Sequence, residues 1–271
     1  MLKKIAIFGV PRSGTSWLSQ IFNSHQSVVS RFQPLFSYEH KGKLSERSTN
    51  REINTFFDEI LNSHDDFALM KADVQKDFPK FKKSSTPTHL VFKETRYLHI
   101  VENLIRQSKD IKIVGIVRNP LATLASWINA PKEFKTEWSI IDEWYFAPSK
   151  NMNKKEEYFG YNQWKLTAES FLKFKEIYPD QFLLVQYSKL NINPVEEIQT
   201  IFNFCDLEIC QQVIDFIRQS KSIHSDDPYS VYRGNANDNN WREILPDEII
   251  ETVKNELQNT PLDIFLENKN A

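Results

Sequence analysis

The fold is decided by one stretch near the start of the chain, Ile5-Ala6-Ile7-Phe8-Gly9-Val10-Pro11-Arg12-Ser13-Gly14-Thr15-Ser16-Trp17-Leu18. Its first four residues form a short, continuous apolar run, which is typical of a strand that is buried on both faces. Apolar residues then recur at helical spacing over residues 15–22. A strand, a glycine-containing turn and a helix thus follow one another, and this order predicts an α/β fold.

The turn in this stretch has the composition of an anion-binding loop. Gly14 lets the backbone approach a ligand closely, and the free amides at the start of the following helix point at that ligand. The helix dipole favours negative charge at the same place. Ser13, Thr15 and Ser16 add hydroxyl donors, and Arg12 adds a charged group suited to a phosphate. We therefore predict a phosphate-binding loop; the alternative is a plain capped turn between a strand and a helix.

Strand and helix patterns alternate along the rest of the chain. Further strands are predicted at residues 27–32, 90–92, 111–117 and 182–185, and helices at residues 53–61, 98–105, 121–127, 158–177, 195–204, 210–217 and 246–257. Such alternation implies right-handed crossovers and a mostly parallel sheet, whose ligands bind at the carboxyl ends of the strands. Residues 128–162 interrupt the rhythm with many aromatic side chains, and form either an ordinary packed insertion or a lid or acceptor wall.

Length and composition exclude several classes of protein. The 271 residues suit one α/β domain spanning 1–271, and 40% hydrophobic and 26% charged residues are ordinary for a globular chain. A net charge of −2 argues against a partner that is nucleic acid. No apolar run reaches the roughly 18 residues of a membrane span. The two cysteines, Cys205 and Cys210, suit a reducing compartment, so we expect a cytoplasmic protein.

The predicted phosphate loop nearly spells the nucleotide triphosphatase pattern, Gly-x4-Gly-Lys-[Ser/Thr], but Thr15 occupies the lysine position. That lysine reaches the β- and γ-phosphates, so its absence argues against ATP or GTP hydrolysis. Residues 11–18 instead resemble the 5′-phosphosulfate loop of sulfotransferases. These enzymes move a sulfuryl group from 3′-phosphoadenosine 5′-phosphosulfate (PAPS) to an acceptor. Arg12 stands where the cytosolic branch usually has lysine, and is similar to the carbohydrate and tyrosyl branches.

A second motif resembles the family's site for the 3′-phosphate. The buried strand at residues 111–117 is followed by Arg118, Asn119 and Pro120, and Ser126 lies two turns along the next helix. In the family an arginine and a serine at these positions grip the 3′-phosphate, and the resemblance assigns that role to Arg118 and Ser126. A strand end with a solvated arginine is the alternative for this pattern taken alone.

Three weaker matches concern the rest of the nucleotide. Tyr187 ends the strand at residues 182–185 and resembles the tyrosine that lies near the adenine, and Trp17 matches the position that packs on the adenine ring. A core tryptophan is the alternative for Trp17. Arg233 and Gly234 resemble the late Arg-Lys-Gly loop that closes on the 3′-phosphate, although the lysine is missing here. The resemblance as a whole spans residues 5 to about 250.

The strand predicted at residues 90–92 ends in a basic run that resembles the reacting centre of the family. Lys93 is similar to the lysine that lies near the leaving phosphate, where a cation stabilises charge developing on the bridging oxygen. A solvated lysine at a strand end is the alternative. The resemblance does not fix the general base. The tyrosyl and carbohydrate branches take a glutamate from the segment after the second strand, but the matching position holds Gln33, which cannot accept a proton at neutral pH.

Residues near Lys93 are therefore ranked as candidates for the base. Glu94 comes first because it directly follows Lys93, although neighbours on a strand point to opposite faces unless the strand has ended there. His99, on the predicted helix that follows, comes second, and Glu39 and His40 come third. For each one taken singly, an ordinary surface or capping role is the alternative.

The sequence thus predicts a single-domain, PAPS-dependent sulfotransferase with a P-loop-like parallel sheet of about five strands flanked by helices. A hydroxyl or amine of a small-molecule or carbohydrate acceptor attacks sulfur, and adenosine 3′,5′-bisphosphate (PAP) leaves. The six histidines are scattered and no metal site is predicted. Two alternatives stay open. The first is a nucleotide kinase or triphosphatase of the same fold class, although Thr15 at the lysine position argues against it. The second is a non-catalytic nucleotide-binding module, which is consistent with Gln33 at the usual position of the base.

Overall fold

The computed structural model describes residues 2–71, 79–232, 234 and 238–266. Its strands are β1 (Lys3–Phe8), β2 (Val28–Phe32), β3 (His89–Glu94), β4 (Ile111–Val117) and β5 (Phe182–Gln186). They form one sheet in the order β2-β3-β1-β4-β5, and every neighbouring pair is parallel. The predicted α/β fold with a parallel sheet of about five strands is confirmed.

Helices connect the strands and flank the sheet. In chain order they are α1 (Thr15–Ser24), α2 (Asn50–Leu61), α3 (Val101–Gln107), α4 (Pro120–Ile128), α5 (Ile140–Glu143), α6 (Pro148–Asn151), α7 (Tyr161–Ile177), α8 (Tyr187–Ile192), α9 (Pro194–Phe204), α10 (Gln211–Ser222), α11 (Trp241–Ile244) and α12 (Asp247–Leu257). The short helices α5, α6, α8 and α11 have no counterpart among the sequence predictions. Within the described ranges, none of these helices is both long and apolar enough to cross a membrane.

The sheet separates two apolar cores. Successive side chains of a strand point to opposite faces. In β1 the side chains of Ala6 and Phe8 accordingly belong to one core, together with α2, α4 and α7, while Ile5 and Ile7 belong to the other, together with α1, α9 and α10. All four residues are fully buried. This burial on both faces explains the unbroken apolar sequence of the strand.

The register of the central strands brings three loops to one edge of the sheet. Phe8, the last residue of β1, lies opposite Glu94 at the end of β3 and opposite Gly115 near the end of β4. The segments that follow β1, β3 and β4 therefore leave the sheet side by side. Arg12 and Arg118 lie in two of these segments, and Lys93 lies at the end of β3 itself. The topology therefore brings these three residues to one edge of the sheet.

Candidate active site

The loop after β1 presents backbone amides to a cavity of about 500 Å³. Gly14 caps α1 with φ of 92°, a left-handed conformation that glycine adopts readily. A Cβ atom at this position would lie 2.5 Å from the Tyr187 ring. The amides of Thr15, Ser16 and Trp17 begin the helix and have no helical carbonyl to bind. All three residues line the cavity, and free amides at a helix start are an arrangement that suits a bound anion.

Arg12 connects the two phosphate motifs of the sequence. Its Nε atom donates a hydrogen bond to the hydroxyl of Ser126 at 3.1 Å, and its Nη2 atom donates to the carbonyl of Pro228 at 2.6 Å. Arg118 donates from Nη1 to the carbonyl oxygen of Arg12 at 3.0 Å. Arg12, Ser126 and Arg118 line the same cavity. The structure thus brings the residues of the two motifs into direct contact.

Arg118 forms a buried ion pair with Asp238. Its Nε atom donates to Oδ1 of Asp238 at 2.7 Å, and the two side chains are only 11% and 9% exposed. Burial acts to lower the pKa of Arg118, but the charge of Asp238, the Tyr187 side chain and the hydrogen bond to Asp238 together outweigh burial and leave the pKa above its ordinary value. The other carboxylate oxygen, Oδ2, is buried and makes no hydrogen bond within the described part of the chain. Arg118, which the resemblance assigns to the 3′-phosphate, is therefore already paired with an acidic side chain.

Aromatic rings line the cavity beside the loop. Trp17 and Tyr187 meet edge to face, with ring centroids 6.3 Å apart, and both line the cavity. The indole nitrogen of Trp17 donates to the hydroxyl of Ser220 at 2.9 Å, which fixes the ring. The Arg118 guanidinium lies 4.9 Å from the centre of the Tyr187 ring. These rings offer flat apolar surface beside the anion site.

Lys93 lies at the end of β3 on the side that faces the cavity. It is 2% exposed, and its Nζ atom lies 4.2 Å from the centre of the Phe32 ring. Burial lowers its pKa to about 7, against the opposing charges of Glu94 and Glu133. An anion bound beside Nζ would favour the protonated, positively charged form of this lysine.

Gln33 also lines the cavity, and its carboxamide is held in place. The residue has φ of 42° and precedes a 3₁₀ turn, Pro34–Phe36. Its backbone N–H donates a hydrogen bond to the carbonyl of Lys93 at 2.9 Å. Its Oε1 atom accepts a hydrogen bond from the hydroxyl of Thr95 at 2.7 Å. Gln33 stands where the tyrosyl and carbohydrate branches have a glutamate, and it lines the cavity, but its carboxamide has no basic oxygen.

Glu94 points away from the cavity, as strand alternation requires for the neighbour of Lys93. It is fully buried, and its Oε1 atom accepts a hydrogen bond from the amide of Leu35 at 2.7 Å. Burial raises its pKa to about 8, against the opposing effects of the Leu35 amide and the charge of Lys93. Glu94 is not among the described residues that line the cavity. The geometry supports a structural role, in which Glu94 fixes the corner after β2.

The other candidate bases also lie outside the cavity lining. His99 is held by a contact of 3.2 Å between its Nδ1 atom and the hydroxyl of Tyr158, and burial lowers its pKa. Glu39 accepts a hydrogen bond from Ser63 at 2.6 Å, and His40 is buried. None of the three candidates belongs to the described part of the cavity wall.

Ser13, Gly234 and Arg233 are the remaining residues that the sequence predicts to bind the nucleotide. Ser13 is a fully buried residue of the loop, and its hydroxyl makes no hydrogen bond to any residue that the structure describes. The amide of Gly234 donates to the carbonyl of Ile223 at 2.9 Å, and Gly234 is absent from the described lining of the cavity. Arg233 lies outside the described residues.

The interrupting segment at residues 128–162 contributes side chains that motif matching missed. Lys132, Glu133, Lys150 and Phe159 all line the cavity. The Nζ atom of Lys150 lies 4.7 Å from the centre of the Phe159 ring. The aromatic content of the segment is the signal that could have found this wall, because clefts of this kind are commonly lined by aromatic side chains.

Comparisons of the sequence with known proteins identify related chains. The family model described as "Sulfotransferase family" matches residues 4–211. Carbohydrate sulfotransferase 3 of Mus musculus is 22% identical over 166 residues, which are 59% of this chain and 34% of that protein. The match therefore spans about a third of the length of this curated relative.

Solved structures share the fold at low identity. The mouse sulfotransferase SULT7A1 complexed with PAP has a TM-score of 0.59 at 14% identity, over 99% of this chain and 89% of that chain. Retinol dehydratase in complex with androsterone and inactive cofactor PAP has a TM-score of 0.56 at 12% identity, over 96% and 82% of the two chains. The family model covers well over half of the chain and contains both phosphate motifs. The chain therefore belongs to the sulfotransferase family, as those motifs predict.

Proposed function

We propose that this protein transfers the sulfuryl group of PAPS to a hydroxyl, or an amine, of a small-molecule or carbohydrate acceptor and releases PAP. One observation carries the proposal. One cavity is lined by Arg12 and the first residues of α1, which follow β1, by Lys93 near the end of β3, and by Arg118, which follows β4. This arrangement offers positive charge at two ends of an aromatic-lined cleft, and a nucleotide with phosphates on both sides of its ribose requires such charge.

The residues present fit a bisphosphate nucleotide. The missing Cβ of Gly14 leaves the loop backbone open beside the Tyr187 ring, and we assign the 5′-phosphosulfate to this loop and Arg12. Arg118 and Ser126 are assigned to the 3′-phosphate. Tyr187 and Trp17 would hold the adenine ring. The roles of Ser13, Arg233 and Gly234 stay predictions.

The chemistry follows from charge and position. PAPS, when bound, supplies an electrophilic sulfur and a phosphate leaving group. Lys93 is assigned to stabilise the negative charge that develops on that leaving oxygen. The neighbouring anion raises the pKa of Lys93 and keeps its Nζ atom protonated, because an opposite charge favours the charged form. Burial of the lysine removes competing water and strengthens this interaction.

The acceptor is assigned to the end of the cavity beyond Lys93. Phe32, Phe36 and Phe67 cluster there, with ring centroids 5.4 Å and 5.8 Å from Phe67. Arg96 lies 3.7 Å from the centre of the Phe36 ring. Residues 128–162 supply the opposite side through Lys150, Glu133, Lys132 and Phe159, which supports the interpretation of this segment as an acceptor wall. An apolar body that carries a polar group suits these surroundings.

The proposed reaction requires no divalent metal. We also propose that the protein works in a reducing, cytoplasmic compartment. Arg12, Lys93 and Arg118 supply the positive charge that magnesium supplies in kinases. Cys205 and Cys210 are not joined in a disulfide, which suits a reducing compartment. Thr15 stands at the lysine position of the triphosphatases and lines the cavity, which supports PAPS over ATP as the nucleotide.

The experiment incubates the protein with PAPS and a panel of hydroxyl and amine acceptors in EDTA, and follows PAP and sulfated product by chromatography. Transfer that survives EDTA supports the proposal. Binding of PAP without transfer to any acceptor, water included, would instead indicate a binding module. Turnover of ATP that depends on magnesium would indicate a kinase or triphosphatase.

A further inference from the structure

The structure assigns to Glu133 the role of general base, which takes the proton from the attacking hydroxyl of the acceptor. This inference rests on the proposed function. No sulfotransferase motif in the sequence contains Glu133, and the residue at the corresponding motif position, Gln33, has no basic oxygen. The argument comes from the place of the Glu133 side chain in the cleft.

The backbone of Glu133 is anchored on the protein core. Its amide donates to the carbonyl of Ala130 at 2.8 Å, and its own carbonyl accepts a hydrogen bond from the indole nitrogen of Trp127 at 3.2 Å. The next residue, Phe134, is buried and packs edge to face on Trp127, with ring centroids 5.1 Å apart. Glu133 therefore enters the cleft from a fixed turn, and a catalytic side chain requires such a rigid support.

Glu133 is half-buried, and one of its two carboxylate oxygens is enclosed by protein. Its Oε2 atom is buried and makes no hydrogen bond to the described residues. A buried acceptor without a donor is rare in folded proteins, and a bound ligand is one explanation for it. Asp227, the other carboxylate in the described lining of the cavity, is exposed and its Oδ1 atom accepts from the amide of Tyr229 at 2.9 Å.

Electrostatics place the Glu133 charge among the cations of the acceptor end. Burial lowers the pKa of Lys93, and the charges of Glu94 and Glu133 oppose that shift. Burial likewise lowers the pKa of Lys150, and the charge of Glu133 is the largest effect opposing it. Glu133 therefore lines the same cavity as Lys93 and Lys150, near enough for its charge to act on both lysines. Since we assign the acceptor to this end of the cavity, a base here would meet the acceptor hydroxyl.

The step balances with the groups named. The acceptor oxygen forms a bond to sulfur while the bond between sulfur and the phosphate oxygen breaks. The proton of the acceptor hydroxyl passes to the carboxylate of Glu133, and the electron pair of the broken bond leaves with PAP beside Lys93. Water later removes the proton from Glu133, which regenerates the carboxylate.

The test compares Glu133→Gln and Glu133→Asp with the wild type and with Glu137→Gln. Glu137 is an exposed glutamate four residues along the same segment, paired with Lys135. PAP formation from PAPS is measured with water, phenol and 4-nitrophenol as acceptors at mildly alkaline pH, where 4-nitrophenol is already largely ionised. PAP affinity is measured by calorimetry.

We expect Glu133→Gln to lower the rate with water and phenol by about 10²-fold or more, because a general base contributes about 10²–10⁴-fold. The rate with 4-nitrophenol and the affinity for PAP should change little, and Glu133→Asp should recover part of the loss. Without nucleotide, the pKa of Lys93, followed by its acetylation as a function of pH, should fall in Glu133→Gln and stay constant in Glu137→Gln.

Equal losses with phenol and 4-nitrophenol, or near-normal turnover of phenol by Glu133→Gln, would overturn the assignment. So would an unchanged Lys93 pKa, or the expected loss in Glu94→Gln instead. If the wild type forms no PAP with any acceptor, the proposed function fails and this inference fails with it. An active wild type with an equally active Glu133→Gln would refute the base alone.

Discussion

The Nε atom of Arg12 donates a hydrogen bond to the hydroxyl of Ser126 at 3.1 Å, although the two residues are 114 positions apart in the chain. Arg12 belongs to the loop after β1, and Ser126 belongs to α4, which follows β4. The parallel pairing of β1 and β4 brings these two connections to the same edge of the sheet. A ligand with two phosphate groups can therefore be held by both motifs at once.

The first prediction concerns the 3′-phosphate. Arg118→Ala should weaken the binding of PAP far more than the binding of 5′-AMP, because a hydrogen bond to a charged group contributes about 1.5–3 kcal/mol. Calorimetric titration with both nucleotides measures the difference. Equal losses for the two ligands would refute the assignment of Arg118.

The second prediction concerns the carboxylate that already pairs with Arg118. Asp238 would repel a phosphate at this site, so Asp238→Asn should tighten the binding of PAP by roughly tenfold and leave 5′-AMP nearly unaffected. The same titrations measure both affinities. Weaker binding of PAP by Asp238→Asn would show that Asp238 orients Arg118 rather than competing with the nucleotide.

The third prediction concerns the backbone of the phosphate loop. Gly14→Ala should abolish PAP binding and destabilise the fold by more than the roughly 1–2 kcal/mol of left-handed strain, since the new Cβ would also meet the Tyr187 ring. Gly42→Ala is the matched control, because Gly42 has φ of 68° with nothing within 4 Å of a new Cβ. Thermal unfolding and calorimetry compare the variants. Equal destabilisation of both would contradict the close approach of Tyr187.

The fourth prediction concerns pH and Lys93, which is surrounded by the charges of Glu94, Glu133, Arg12 and Arg96. Its pKa is lowered from 10.5 to about 7, so the unfolded chain binds more protons than the folded chain between these values. The contribution of Lys93 to the free energy of unfolding therefore rises with pH across this window. Lys93→Met should lack this slope and should be more stable than the wild type at neutral pH.

The same lysine should take up a proton when PAP binds above neutral pH, since the bound phosphate raises its pKa. Calorimetry in two buffers of different ionisation enthalpy measures this uptake. Lys93→Met is expected to show less uptake than the wild type. Identical uptake by both proteins would show that Lys93 does not face the phosphate.

Local sequence patterns were sufficient for much of the fold. The apolar run of β1, and the sequence at the end of β4 with Pro120 at the start of α4, are short-range signals that predicted their strands and the helix after β4 correctly. The α/β class followed from the alternation of strands and helices. The resemblance of two loops to known phosphate motifs then identified the family.

The cleft wall required the three-dimensional structure. Glu133 reaches the cavity through a turn anchored on Trp127, and no sequence spacing reports that anchor. Asp238 meets Arg118 across 120 positions of the chain. The opposite directions of Lys93 and Glu94 were foreseeable from strand alternation, but only the extent of β3 decides whether the rule applies, and β3 continues through Glu94.

The most direct measurement of the central claim is a calorimetric titration of the wild-type protein with PAP, 5′-AMP and ATP in EDTA, repeated with ATP and magnesium. The account predicts that PAP binds without metal and at least about tenfold more tightly than 5′-AMP, as a second charged contact requires. Binding of ATP that requires magnesium, together with PAP binding no tighter than 5′-AMP, would contradict it.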